Sequence, residues 1–266
     1  MRRIAILLVS LTAAIPAFSQ APPAPAAAPA GAPAAATGPH PKSAAENDAV
    51  VAMGKAQDPD GQIKAAENLL TTYPDTDYKA VAWLVEAQAY NQKRDYPKAI
   101  VLGEKSLEAD PSNYSTLLLL ADIYARTSKP TDLNLNDNLA KAEKYAKEAL
   151  ADLDKAEKPK ASIPDADWAQ AKIGEQAQAY MSLGLAAVLR KKYDDAKTDF
   201  DKSISMYPDP LVMLYIERSY AGAKQYDEAI AWSDKAIAAQ GASDQVKSIA
   251  ASDKTRNQSL KKQQSQ

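Results

Sequence analysis

The side chains in this sequence with the means to do chemistry are carboxylates, amides and lysines, so the first question is whether any acids are paired for work. Asp194-Asp195 and the helical pair Glu143/Glu148 are the nearest candidates. Two acids act as general acid and general base only where a cleft drives their pKa values apart. These lie among lysines at helical spacing, which is the pattern of a solvated face. No nucleophile–base pair completes them. Cys is absent, and the only histidine, His40, sits in a Pro/Ala stretch. That removes disulfides, zinc–thiolate centres, Cys nucleophiles and any Ser-His-Asp arrangement. Catalysis is not expected, and no residue set asks for a cofactor.

A metal is the next chemistry to test. Asp132-x-Asn134-x-Asn136-x-Asn138 sets oxygens at alternate positions, and Glu143 falls twelfth from Asp132. Calcium loops use that spacing. However, Asp137 occupies the sixth place, where a sharp turn needs Gly, and only two of the matched ligands are carboxylates. The expected state is a polar loop in which Asn138 caps the following helix, with no metal. Asp58-x-Asp60-Gly61 reads as a turn plus a helix cap.

Charge narrows the partners. Net charge is −2 and the pI is near 5.6, with no basic block. Nucleic acid, which needs clustered Lys and Arg to displace counterions, is excluded as a target. At the amino terminus Arg2 and Arg3 precede an apolar run from Ile4 to Ile15, and Ala17-Phe18-Ser19 offers small residues for cleavage. This predicts a signal peptide over 1–19, cut near Ser19/Gln20, and export to the periplasm or beyond. The run is too short to span a bilayer comfortably, so no membrane span is expected in the mature chain. Residues 20–42 are Pro/Ala low complexity and predict an extended, disordered linker.

From Ser43 the texture is helical, with no alternating β-branched runs. Ser43-x-x-Glu46 has the form of a capping box. Breakers recur at Asp58-Pro59, Tyr73-Pro74, Asp110-Pro111 and Tyr207-Pro208-Asp209-Pro210, and each marks a helix boundary. Tyr90 and Tyr124 are 34 apart; Ala196 and Ala229 are 33 apart. A period in this range means stacked helical hairpins.

These residues resemble the tetratricopeptide repeat, whose pattern is W-x2-L-G-x2-Y, then A-x3-F, then P. One copy reads Tyr180-x2-Leu183-Gly184-x2-Ala187, then Ala196-x3-Phe200 and Pro208. Another reads Trp83-x2-Glu86-Ala87-x2-Tyr90, then Ala99-x3-Gly103 and Pro111. A third reads Leu117-x2-Leu120-Ala121-x2-Tyr124 with Ala142-x3-Ala146, and a fourth Met213-x2-Ile216-Glu217-x2-Tyr220 with Ala229-x3-Ser233. Residues 43–74 read as a degenerate first copy. The resemblance implies an all-α fold: a right-handed α-α superhelix of about five hairpins with a C-terminal capping helix. Small residues such as Ala87 and Gly184 let helices approach; large ones such as Trp83, Tyr124 and Phe200 fill the space between hairpins.

Two insertions break the spacing. Ala99 to Ala142 is 43 residues, and Ala142 to Ala196 is 54. The first surplus predicts a loop over 127–138. The second predicts one long helix from about Asp165 to Lys191 and a hinge near 157–164. The chain thus divides into repeats one to three over 43–157, an extended helix with repeats four and five over 158–240, a capping helix over 241–260 and a disordered tail over 261–266.

In the family, the first helix of each repeat lines a concave face on which a peptide lies. Carried over residue by residue, that implies Leu84, Gln88 and Asn91; Leu118, Asp122 and Ala125; Met181, Leu185 and Val188; and Leu214, Arg218 and Ala221. Met181, Leu185 and Val188 exceed one core stripe and predict an apolar, partly open groove. Only Arg218 is cationic among them, so a clamp for a terminal carboxylate is not expected. An apolar or mixed segment fits better. The function expected is a non-enzymatic protein–protein scaffold of the bacterial cell envelope. Two other readings stand beside it: an enzyme or glycan-binding protein using the insertions, and a calcium-responsive adaptor using the 132–143 loop.

Overall fold

The computed structural model describes residues 38–158 and 162–266. The signal peptide and most of the Pro/Ala linker expected at the amino terminus lie outside the described residues. Those described form eleven helices and no strand. They are α1 (Ala44–Lys55), α2 (Pro59–Thr72), α3 (Lys79–Gln92), α4 (Tyr96–Ala109), α5 (Tyr114–Thr127), α6 (Leu135–Lys155), α7 (Asp165–Leu189), α8 (Tyr193–Met206), α9 (Pro210–Gly222), α10 (Tyr226–Ala238) and α11 (Asp244–Gln264).

The helix starts are fixed by short polar side chains that accept the free amides of the first turn. Ser43 Oγ accepts from the Glu46 amide at 3.0 Å, Asp58 Oδ1 from Gly61 at 2.8 Å and Asn113 Oδ1 from Thr116 at 3.1 Å. Glu46 completes its box on the Lys42 amide, one residue before the cap, at 2.5 Å. Three hairpin turns end in the same way. Arg94, Lys191 and Lys224 take φ near +61° to +62°, and the next amide in each case reaches back to Tyr90, Ala187 or Tyr220 at 2.9 Å. This is the Schellman closure, built here on long basic side chains in place of the usual Gly.

The described residues form two compact units, 38–109 and 110–266. In the first, α1 packs on α2, α2 on α3 and α3 on α4. Val50, Met53, Ala66, Leu69 and Ala82 form its core, with Tyr73, Tyr78 and Val85 against it. The Ser106 hydroxyl on α4 donates to the Ala80 carbonyl on α3 at 2.8 Å.

In the second unit, hairpins α5/α6, α7/α8 and α9/α10 are followed by α11, which packs on α10 and α9. The first helices of successive hairpins also touch: α5 meets α7, and α7 meets α9. Phe200 is fully buried, with edge-to-face contacts to Tyr220 (5.8 Å) and Trp232 (6.2 Å). Gly184 makes room for it, since a Cβ there would come within 2.5 Å of Phe200 Cδ1. Ser203 donates to the Ala177 carbonyl at 2.8 Å, the same bond that Ser106 makes in the first unit.

Three boundaries differ from the sequence reading. The compact units divide at Ala109/Asp110, not near 157–164, because α7 packs on both α6 and α5 and binds the expected hinge into one body. The first inserted loop is shorter than expected, since α6 starts at Leu135 with Asn134 at its cap position. The carboxy terminus is helical to Gln264, with Ser243 Oγ accepting from Val246 at 3.3 Å.

Candidate partner-binding surface

The first helices of the hairpins carry the residues expected to meet a partner. On α3, Leu84 is buried while Gln88 and Asn91 are half-buried. In the second unit Leu118, Ala125, Leu185, Val188 and Leu214 are all buried, and Met181 and Ala221 half-buried. Leu185 and Val188 are only 4% and 2% exposed. An open apolar groove is therefore not what these positions form: α7 has α8 on one side and α5 and α9 on others, so it needs more than one apolar stripe. The positions reaching solvent are the polar ones, Met181 and Ala221. Asp122 is held by Arg126 one turn on, at 2.9 Å. Arg218 reaches across to Asp253 on α11, both guanidinium nitrogens at 3.2 Å.

Beneath Arg218 lies a buried polar pair that the sequence reading missed. Asn257 donates its amide to Glu217 Oε1, and both residues are fully buried. Glu217 Oε2 and Asn257 Oδ1 have no partner among the described residues. Burial raises the Glu217 pKa, and Asp253 pushes the same way, against Asn257, Arg256 and Arg218. Glu175 on α7 is similar: its Oε2 is buried without a partner, and burial pushes its pKa up to about 7. The Tyr114 hydroxyl on α5 is pushed up to about 12, by its own burial and then by Glu175.

The remaining candidates are spent on internal contacts. Asn136, Asn138 and Glu143 lie on α6, so alternate oxygens do not share a loop. Asp132 Oδ2 accepts from the Lys129 amide at 2.8 Å, Asn134 donates to Asn138 at 3.2 Å, and Glu143 is paired with Arg190. Among the described residues no group of three or more His, Asp or Glu side chains is placed to hold a metal ion. Asp194 and Asp195 are exposed in the first turn of α8, where acids suit the helix dipole. Glu148 lies 3.9 Å from Lys144. No described helix is long and apolar enough to cross a membrane.

The first unit holds one open cavity of about 400 Å³, between α2, α3 and α4. Glu86 forms part of its wall and is 5% exposed. Burial pushes the Glu86 pKa up to about 7, with Glu67 adding to the rise and Lys105 opposing it. The sequence carried a signal for this acid, which stands where the repeat pattern has Leu. Glu217 likewise stands where the pattern has Gly.

Residues 177–210, the end of α7 with all of α8, match the family model of the tetratricopeptide repeat. Their hairpin closure recurs at α3/α4 and α9/α10, and their Ser–carbonyl bond at α3/α4, in the same register. That segment is a tetratricopeptide repeat. The fold of the chain is similar to that of TTC0263, a thermophilic tetratricopeptide-repeat protein of Thermus thermophilus. The two share 18% identity over 73% of this chain and 90% of that one, with a TM-score of 0.51. Two crystal structures of MamA are also similar. One shows 21% identity over 67% of this chain and 86% of its own, with a TM-score of 0.44. The other shows 20% identity over 72% and 90%, with a TM-score of 0.48. No curated protein matches the sequence.

Proposed function

We infer that this repeat protein is a non-enzymatic scaffold that binds another protein, and that it does so in the cell envelope of a bacterium. Tetratricopeptide repeats in general mediate protein–protein contacts, which supports the first part. The second rests on the sequence: Arg2, Arg3 and the apolar run from Ile4 to Ile15 have the form of an export signal. The observation that carries the reading is the succession α5, α7, α9 in the second unit. It presents Asp122, Met181 and Arg218 in series on hairpins whose apolar positions are already used. Such a face suits a mixed segment with polar groups spaced along it.

The test is site-specific photocrosslinking in cells from position 181, with the captured peptide identified by mass spectrometry. Met181→Glu and Arg218→Glu are expected to abolish capture of that peptide, with circular dichroism unchanged. Met181 is half-buried, and Arg218 is exposed but pairs with Asp253, so Arg218→Gln, which leaves Asp253 its second partner Arg256, is the control that separates loss of capture from loss of the α9–α11 contact. Capture of the same peptide by both variants would overturn the reading. Fractionation checks the compartment: recovery of the full-length chain, uncleaved, in the cytoplasm alone would refute export.

A further inference from the structure

The cavity of the first unit has a carboxylate in its wall that no described residue pairs with. Glu86 is 5% exposed, yet among the described residues its carboxylate makes no hydrogen bond and no ion pair. A buried carboxylate without a partner is costly, so it either holds a proton or awaits a cation. Lys98 stands at the rim, but Asp95 engages it at 3.5 Å and its ammonium lies 4.9 Å from the centre of the Tyr90 ring. Lys105, on α4, acts on Glu86 only through its charge. The second wall acid, Glu67 on α2, is exposed. Facing these acids are the Tyr90 ring and two aliphatic side chains, Leu102 and Val101, the latter 54% exposed.

We propose that this cavity is a socket for a lysine side chain of a partner polypeptide, with the ammonium on Glu86 and Glu67 and the methylene stem along Tyr90, Leu102 and Val101. The volume of about 400 Å³ exceeds what one lysine side chain fills, leaving room for its neighbours on the partner. The wall itself carries two carboxylates and one lysine, Lys98, which Asp95 already engages; Lys105 acts from outside the wall, so the charge favouring a cation develops as Glu86 ionises. Val101 favours a peptide over a free diamine, because an exposed apolar side chain at the mouth is covered only when the lysine is flanked by apolar residues. The site shares no residue with α5, α7 and α9 and does not depend on the reading given for them. Because Glu86 holds a proton up to about 7, binding displaces that proton, and affinity rises with pH.

The experiment is an NMR titration of the full chain with the peptide acetyl-Gly-Leu-Lys-Leu-Gly-amide. Saturable shifts are expected at the amides of Glu86, Tyr90, Val101 and Leu102. Affinity is expected to rise by at least about fivefold from pH 5.5 to 8, through the ionisation of Glu86 beside Glu67, Lys98 and Lys105. Glu86→Gln, which keeps the side-chain volume, is expected to weaken binding about tenfold and remove the pH dependence. Val101→Ser, on the surface, is expected to weaken the peptide more than cadaverine, which shares the stem contact but has no flanking apolar residues. Replacing the peptide's lysine with norleucine is expected to abolish the shifts. An unchanged affinity with norleucine or in Glu86→Gln, cadaverine binding as tightly as the peptide, or no shift at all would each overturn the proposal.

Discussion

Hairpins α3/α4 and α7/α8 share one register and reach different ends. Each joins its helices through a buried serine that donates to an alanine carbonyl 26 residues earlier. Each turns through a left-handed basic residue, Arg94 or Lys191. At the close approach, however, the second hairpin pairs Gly184 with Phe200, while the first places Ala87 and Gly103 at those positions. The second closes over three rings. The first has no ring at that place and keeps an open cavity with a buried acid in its wall. A repeat register fixes where helices meet; the volumes at two positions decide whether the junction is only structural or leaves space for something else.

The largest effect should come from dismantling the aromatic junction. Phe200→Ala is expected to cost about 4 kcal/mol, read from urea denaturation of the second unit's tertiary signal. Gly184→Ala should cost about 3 kcal/mol by forcing the Phe200 ring aside, whereas Val101→Ser on the cavity mouth should stay within about 0.5 kcal/mol. If Gly184→Ala melts like wild type, the two hairpins do not differ in the way described.

Next comes pH. Glu175 is half-buried with one carboxylate oxygen enclosed, and burial pushes its pKa up to about 7 from an ordinary 4.5. Folded chains hold a proton that unfolded chains have released, so this contribution is complete below pH 4.5 and disappears as pH rises through about 7. Thermal melts should show Glu175→Gln losing less stability than wild type over that interval. An identical pH profile in the variant would show that Glu175 ionises normally.

The shared features should give smaller and equal effects. Ser106→Ala and Ser203→Ala should each cost about 1 kcal/mol, one measured in each unit, because the same carbonyl contact is lost. A cost in only one hairpin would mean the register is not shared energetically. Smallest of all, Lys191→Gly should add about 0.5 kcal/mol. It relieves a left-handed non-glycine residue, partly offset by the freer unfolded chain.

The helices were legible because their punctuation is local. Ser43 and Asp58 cap where the sequence placed polar residues before apolar periods, and the Pro-containing breakers fall at helix boundaries. Gly184 and Phe200 were legible through the repeat pattern. The expected apolar groove was misjudged because a periodic count sees one helix at a time. It cannot know that α7 is contacted on several sides. The long helix expected from Asp165 is present as α7, but a division near 157–164 did not follow, because the contacts of α7 with α5 and α6 depend on residues distant in the chain. The buried acids at 86 and 217 were visible only as departures from the pattern. Their meaning depends on helices far off in the chain, such as α11 for Glu217.

The helix α11 has a consequence for assembly. Its inward side offers Val246 and Ala250 to the last hairpin, while its outward side is lined with lysines, glutamines and serines to the final turn. A repeat array is in principle an open-ended polymer, since every hairpin can accept a copy of itself. With a hydrophilic lid hydrogen-bonded through Asn257, this end has nothing to offer a second molecule. A chain cut before Ser243 would lay bare the α10 surface and begin to string together head to tail.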